Sequence, residues 1–324
     1  MPLIEDLDYA PSGMYRSAHF NTIVTALCRR VKAPMLTRQR ITLRDGDFID
    51  LDTHLQGRPT VAVMVHGLEG DGYRPYMLGM AKALQGIGLD TINVNLRGCS
   101  GECNHLLTSY HSGSTDDLQE VLDYVLHEYD YQQLVLVGFS LGGNIVLKYT
   151  GDLADQIDER IKVSVGVSVP CDLKSCADSI KEPRNFIYMR RFIHNLRDKV
   201  RAKKHLLPPD MDFEHLMTAK NFHEFDHWFT APVHGFKSAE HYWETCSSKP
   251  GLDKVAIPTL LLNARDDSFL GDECYPEEMA RSHSLFYMMA PKHGGHVGFS
   301  GDNRKGMLWS EYQVAKFVRE HALR

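Results

Sequence analysis

Ser140 stands in the run Gly138-Phe139-Ser140-Leu141-Gly142-Gly143, a G-x-S-x-G arrangement that follows the apolar stretch QLVLV. The pattern arises by chance often enough to be weak alone; a strand before it and a helix after it give it meaning. In that setting the flanking glycines remove side chains that would clash in a tight strand-to-helix turn, and the Ser140 hydroxyl is left exposed above a sheet. A serine hydroxyl is a poor nucleophile until a neighbouring base takes its proton, and the base needs an orienting acid. Downstream, Ala264-Arg265-Asp266-Asp267-Ser268 offers two carboxylates and His293-Gly294-Gly295-His296 two imidazoles, each after an apolar run. Either Asp266 or Asp267 could serve; Asp267, directly before the small turn residue Ser268, is the expected acid. His293 competes with His296, but the glycines before His296 let the loop carry its ring to Ser140, so His296 is the expected base. Acyl transfer also needs donors aimed at an oxyanion. The backbone N–H of Leu141, in the first turn after Ser140, is one candidate. The N–H of Leu68, in His66-Gly67-Leu68-Glu69-Gly70, is the second, with His66 expected to brace that loop rather than react.

Such residues need a rigid frame. TVAVMVHG and QLVLVGFS are continuous apolar runs suited to strands buried on both faces of a parallel sheet. TRQRITL and FIDLD flank the turn Arg44-Asp45-Gly46 as shorter strands, and LDTINVNLRG, IKVSVGVSV, PTLLLN and SLFYMMA complete the set. Helical patterns lie between them, at about 75–87, 277–281 and 307–321. Another opens at Ser114-Thr115-Asp116-Asp117 with Leu118, Val121, Leu122 and Val125 at helical spacing, and LGGNIVLKYTG is expected to stop at Gly151. The alternation predicts an α/β fold, a mostly parallel central sheet flanked by helices. Residues 1–36 read as an N-terminal extension packing on the core, 37–170 and 253–324 as its two parts. From 171 to 252 the rhythm breaks, with Met189, Phe192, Ile193, Leu196 and Val200 at helical intervals. That stretch is expected to be a helical cap between late strands, over the carboxyl end of the sheet, where such folds bind ligands.

Composition narrows the classes. With 43% hydrophobic and 24% charged residues the chain of 324 residues is ordinary for a globular enzyme, and a net charge of −6 gives no reason to expect nucleic-acid binding. No run approaches the length of a membrane span. The start MPLIEDLDYAPSG has acids and prolines where a signal peptide has a basic start and an apolar core. Seven cysteines without a CxxC pair argue against a disulfide framework or structural zinc, and a cytoplasmic location is expected.

Six segments, HGLEG (66–70), NLRGCSG (95–101), YHSGSTDDL (110–118), GFSLGGN (138–144), EFDHWFTAPVHGF (224–236) and HGGHVGF (293–299), resemble the YheT-like branch of the α/β-hydrolases. The resemblance runs from about residue 16 to 320, and RGCSG and GGHVGF are specific to the branch. It implies a cofactor-free serine esterase or lipase-like hydrolase of carboxylic esters, with Ser140, Asp267 and His296 on the family's triad positions. Some eukaryotic relatives carry an N-terminal membrane anchor, of which this sequence shows no sign. The acid loop often reads Asp-Asp-Pro in the family; here Ser268 replaces the proline.

Other features compete. His223-Glu224-Phe225-Asp226-His227 matches the zinc-protease pattern H-E-x-x-H, though a third ligand would be needed; the resemblance gives this segment a structural role instead. Residues 181–205 hold nine Lys or Arg against Glu182 and Asp198, which suits either a basic lid touching membrane surfaces or a solvated helix face. Cys99 is either a redox-sensitive thiol or a small packed residue, and Tyr110-His111-Ser112-Gly113 is expected to line the pocket. The expected activity is ester hydrolysis through an acyl-enzyme, on a small-molecule or lipid substrate. Acyl transfer or thioester hydrolysis would use the same triad, and a catalytically silent binding protein would share the scaffold.

Overall fold

The computed structural model describes residues 2–32, 34–304 and 306–323. Nine strands form one sheet: β1 (Leu3–Ile4), β2 (Thr37–Thr42), β3 (Phe48–His54), β4 (Thr60–Val65), β5 (Asp90–Asn95), β6 (Gln133–Phe139), β7 (Ile161–Val167), β8 (Thr259–Leu262) and β9 (Phe286–Met289). Their order is β1-β9-β8-β7-β6-β4-β5-β3-β2. β3 runs antiparallel to both β2 and β5, and every other pairing is parallel.

The pleat explains why the central strands read as unbroken apolar runs. Val61 and Val63 of β4 and Leu134 and Leu136 of β6 face one layer, with Leu118, Val121, Leu122 and Val125 of α3 (Thr115–Glu128) in the same cluster. The alternate residues Ala62, Met64, Val135 and Val137 face the other side, where α2 (Pro75–Gln85) contributes Met77, Met80 and Leu84. Both faces are therefore covered, as a parallel sheet requires. The outer strand β2 alternates instead, and Arg38 and Arg40 stand opposite Asp52 and Asp50 of β3, paired at 2.8 Å.

α4 (Leu141–Leu153) follows β6. It does not stop at Gly151 but runs two residues further, and Gly151 has a different reason to be glycine. A Cβ there would come within 2.5 Å of the Gly251 carbonyl oxygen, so the site allows two backbones to touch.

Between β7 and β8 lie α5 (Leu173–Ile180), α6 (Phe186–Ala202), α7 (Phe213–Leu216), α8 (Phe222–Phe225), a π-helical turn at Asp226–Thr230, α9 (Ala231–Val233) and α10 (Ala239–Cys246). This helical insertion has its own apolar cluster, including Ile180, Met189, Ile193, Val200, Phe225 and Phe229. α11 (Glu277–Ser282) precedes β9, and α12 (Trp309–Ala322) closes the chain, packing Trp309, Val314 and Phe317 beside α2. Ahead of the sheet proper, β1 adds a strand to β9, and α1 (Ala18–Leu27) packs near α2. No helix is long and apolar enough to cross a membrane among the described residues.

Candidate active site

Ser140 sits between β6 and α4 with φ 51° and ψ −121°, a backbone conformation costly for a residue with a Cβ. Its neighbours explain how the turn closes. A Cβ on Gly138 would lie 2.2 Å from the Gly142 carbonyl oxygen, and one on Gly142 would lie 2.4 Å from the carbonyl oxygens of Val65 and His66. Glycine at both positions lets α4 press against the end of β4, which holds the Ser140 Oγ out of the sheet.

The three residues expected from the sequence meet there. His296 Nε2 lies 2.9 Å from Ser140 Oγ, and His296 Nδ1 lies 2.7 Å from Asp267 Oδ2. Since a carboxylate only accepts, Nδ1 carries the proton and donates to Asp267, which leaves Nε2 free to accept from the serine. The second Asp267 oxygen accepts the Phe269 N–H at 3.0 Å, and its side chain is buried.

The other two candidates, Asp266 and His293, make other contacts. Asp266 Oδ1 accepts the Gly295 N–H at 2.8 Å, and its other oxygen approaches His293 Nδ1 at 3.4 Å without hydrogen-bond geometry. Burial pushes the Asp266 carboxyl above its usual range, against the opposing pull of Gly295 and His293. The pair thus shapes the histidine loop from outside.

That loop is strained, with positive φ at Val297 and Phe299 as well as at Gly294 and Gly295. Four contacts hold it that the sequence did not disclose. Thr22 Oγ1 of α1 accepts the His296 N–H at 2.8 Å, and Asn21 Oδ1 accepts the Ser300 N–H at 2.9 Å. Ser168 Oγ, after β7, accepts the Val297 N–H at 2.9 Å. The Phe269 ring stacks on the His296 imidazole at 4.3 Å between centroids.

Leu141 is the first residue of α4, where an amide has no helical acceptor. Leu68 lies in the turn closed by the Gly70 N–H to the Gly67 carbonyl oxygen at 2.9 Å, and both leucines line the same cavity as Ser140. His66 braces this turn as expected. Its Nδ1 donates to the Gly67 carbonyl oxygen at 2.7 Å and its Nε2 accepts the Leu96 N–H at 3.1 Å. Burial drives its pKa down to about 3, so it stays neutral.

The sequence motifs prove to be parts of one another's support. Arg97 of NLRGCSG holds Asp117 of YHSGSTDDL through two bonds of 2.8 and 2.7 Å. Tyr110 donates to Glu69 of HGLEG at 2.6 Å, and Asn144 of GFSLGGN donates to the carbonyl oxygens of Ser112 and Cys246. Cys99 is buried beside Lys199 at 2.9 Å, and burial pushes its thiol up to about 11, which makes it a packed thiol rather than a reactive one.

The cavity over Ser140 and His296 has a volume of about 1070 Å³ with its open mouth included. Much of its wall comes from the insertion: Ile180, Phe192, Leu196, Phe222, Phe225 and Phe229 are apolar. Tyr110, His111 and Ser112 line it, as expected. Lys199 reaches in from α6 and pairs with Glu69 at 3.0 Å. The H-E-x-x-H residues point elsewhere: His223 pairs with Glu240 at 2.6 Å, and Glu224 accepts the Lys220 N–H. Among the described residues no three His, Cys, Asp or Glu are grouped to hold a metal ion. Asp226 of that motif is buried, accepting from Thr230 Oγ1 at 2.7 Å and Trp243 Nε1 at 2.8 Å, and so ties the π-turn to α10.

Residues 61–301 match the family model described as the alpha/beta hydrolase fold. The chain belongs to the α/β-hydrolase family. Within it, the YheT-like branch is shown by YheT of Escherichia coli (strain K12), named as a candidate esterase, 31% identical over 96% of this chain and 93% of its own. The human protein named Phospholipase ABHD3 is 30% identical over 75% of this chain, which spans 59% of that longer protein. The Saccharomyces cerevisiae protein named Monoacylglycerol lipase is 27% identical over 79% of this chain and 58% of its own. Among solved structures, the Pyrococcus furiosus esterase Pf2001 superposes with a TM-score of 0.57 at 14% identity, over 88% of this chain and 92% of that one, a likeness of fold. These relatives are named as an esterase, a phospholipase and a lipase, and this chain shares the α/β-hydrolase family with them.

Proposed function

We propose that the protein is a serine hydrolase that cleaves carboxylic esters of lipids through an acyl-enzyme. The observation that carries this reading is the unbroken relay from Ser140 Oγ to His296 to Asp267, at 2.9 and 2.7 Å. Ser140 attacks the ester carbonyl while His296 Nε2 takes its proton, and the carbonyl oxygen becomes an oxyanion between the N–H groups of Leu68 and Leu141. Asp267 orients the imidazole and stabilises the imidazolium. His296 then gives its proton to the departing alcohol oxygen. Water, deprotonated by the same imidazole, attacks the acyl-serine and releases the acid.

Residues 171–252 serve as the cap, and their apolar side chains take the acyl chain. The names of the relatives support this choice of substrate, since they include a phospholipase and a monoacylglycerol lipase. Turnover of p-nitrophenyl esters tests the proposal. Ser140→Ala is expected to lower kcat by about a million-fold; a variant that kept its rate would refute the assignment.

A further inference from the structure

α6 presents two faces. Met189, Ile193 and Val200 are buried in the insertion, with Phe192 and Leu196 on the cavity side. Its outward face runs through Phe186, Ile187, Arg190, Arg191 and His194, positions spaced i, i+1, i+4, i+5 and i+8, which form one stripe on a helix. The first two are left in water: Phe186 is 62% and Ile187 75% exposed. Arg190 and Arg191 follow them one turn on, exposed and with no ion pair or hydrogen bond among the described residues.

A second element extends the apolar end. His19 Nδ1 of α1 lies 3.1 Å from the Tyr188 hydroxyl, next to the exposed pair. Ile23 and Leu27 follow His19 at i+4 and i+8 and are 42% and 67% exposed. The chain of contacts inward is short. Tyr188 packs on Phe269 at 4.7 Å, and Phe269 stacks on His296.

We infer that the outer stripe of α6, with the adjoining edge of α1, docks the protein on an anionic phospholipid surface. Phe186 and Ile187 enter the boundary between headgroups and acyl chains, while the stems of Arg190 and Arg191 lie along it and their guanidinium groups reach lipid phosphates. A second copy of the chain fits this face less well, because a two-fold contact through it would set unpaired arginines against arginines. Docking in this pose brings the Phe269 side of the cavity to the membrane, from which an ester lipid could enter; that consequence rests on the proposed hydrolase site, whereas the docking itself does not.

Vesicle co-sedimentation of the full chain tests it, with phosphatidylcholine vesicles that contain or lack phosphatidylserine. The protein is expected to pellet with the phosphatidylserine vesicles at low salt and much less at high salt. Arg190→Glu with Arg191→Glu should weaken partition by about thirty-fold or more. Phe186→Ser with Ile187→Ser should weaken it at least tenfold on both vesicle types. Both double variants change exposed side chains, so far-ultraviolet circular dichroism and hydrolysis of a soluble short-chain ester should match the wild type. Failure of the wild type to pellet with phosphatidylserine vesicles at low salt, or variants that pellet as it does, would overturn the proposal. A dimer by light scattering that dissociates in the Phe186, Ile187 variant would overturn it in favour of self-association. Binding is read without turnover, so a chain that pellets yet cleaves no ester contradicts the hydrolase reading alone.

Discussion

Two regions enclose the same cavity by opposite means. The floor, made by the turns after β6, β8 and β9, is fixed by strained backbone and directional hydrogen bonds: positive φ at Ser140, Val297 and Phe299, α4 admitted to touching distance by Gly138 and Gly142, and loop N–H groups bound by Thr22, Asn21 and Ser168. The roof, made by α5, α6 and α8, is held by side chains, with an apolar cluster of its own. A floor fixed by tight turns and directional hydrogen bonds tolerates almost no change in the position of a reacting atom. A roof built of interchangeable apolar side chains can be reshaped while the fold survives. On this account the floor sets the chemistry and the roof sets which ester is accepted.

The two acid-loop carboxylates give the sharpest contrast within the floor. Asp267→Asn should reduce kcat by about ten-thousand-fold, because the amide no longer holds the correct imidazole tautomer. Asp266→Asn should cost about tenfold, since Asp266 shapes the loop through Gly295 and His293 while Asp267 is the acceptor for His296. Equal losses in p-nitrophenyl ester turnover would erase the distinction.

In the roof, Asp226 is buried and its pKa is pushed up to about 6, by burial first, against the pull of its bonds from Thr230 and Trp243. A carboxyl raised above its unfolded value binds its proton more tightly in the folded state. Its protonation therefore favours folding, and stability falls as pH rises from about 4 to about 6, by up to about 3 kcal/mol. Denaturant unfolding of wild type and Asp226→Asn at each pH should show the wild type losing ground to the variant across that window. A pH-independent difference would mean the carboxyl ionises freely.

Selectivity should respond to the roof alone. Phe192→Ala with Leu196→Ala is expected to lower kcat/KM for long-chain p-nitrophenyl esters by about ten- to thirty-fold and leave short-chain esters within about threefold. A uniform loss over the series would mean that the roof also positions the floor.

The smallest effect is expected from α1. Thr22→Val removes the acceptor for the His296 N–H and should destabilise the fold by about 1 to 3 kcal/mol, read as a lower unfolding midpoint, with a modest fall in kcat.

How much the sequence disclosed follows the same division. The meeting of Ser140, Asp267 and His296 was legible because strand-end positions and chain order are written in local patterns of apolar runs and glycines. The choice of Asp267 over Asp266 rested on one neighbour, Ser268; in the structure Asp267 is the carboxylate within hydrogen-bond reach of His296. Thr22, Asn21 and Ser168 left no such mark, because their partners lie more than a hundred residues away and a lone polar residue on a helix or strand end looks solvated. β1 has two residues, too short for any periodicity, so residues 1–36 could be expected only to pack on the core. The π-turn at Asp226–Thr230 begins inside the segment that imitates a zinc motif, and no residue pattern there marks it. Gly151 shows the limit of local rules, for its close partner is Gly251.

The most direct test is chemical. Folded protein treated with a fluorophosphonate should gain one adduct, which peptide mass analysis places on Ser140 and which Ser140→Ala abolishes. An adduct on another residue, or none on folded protein, would contradict the claim that the Ser140, His296 and Asp267 relay activates this serine.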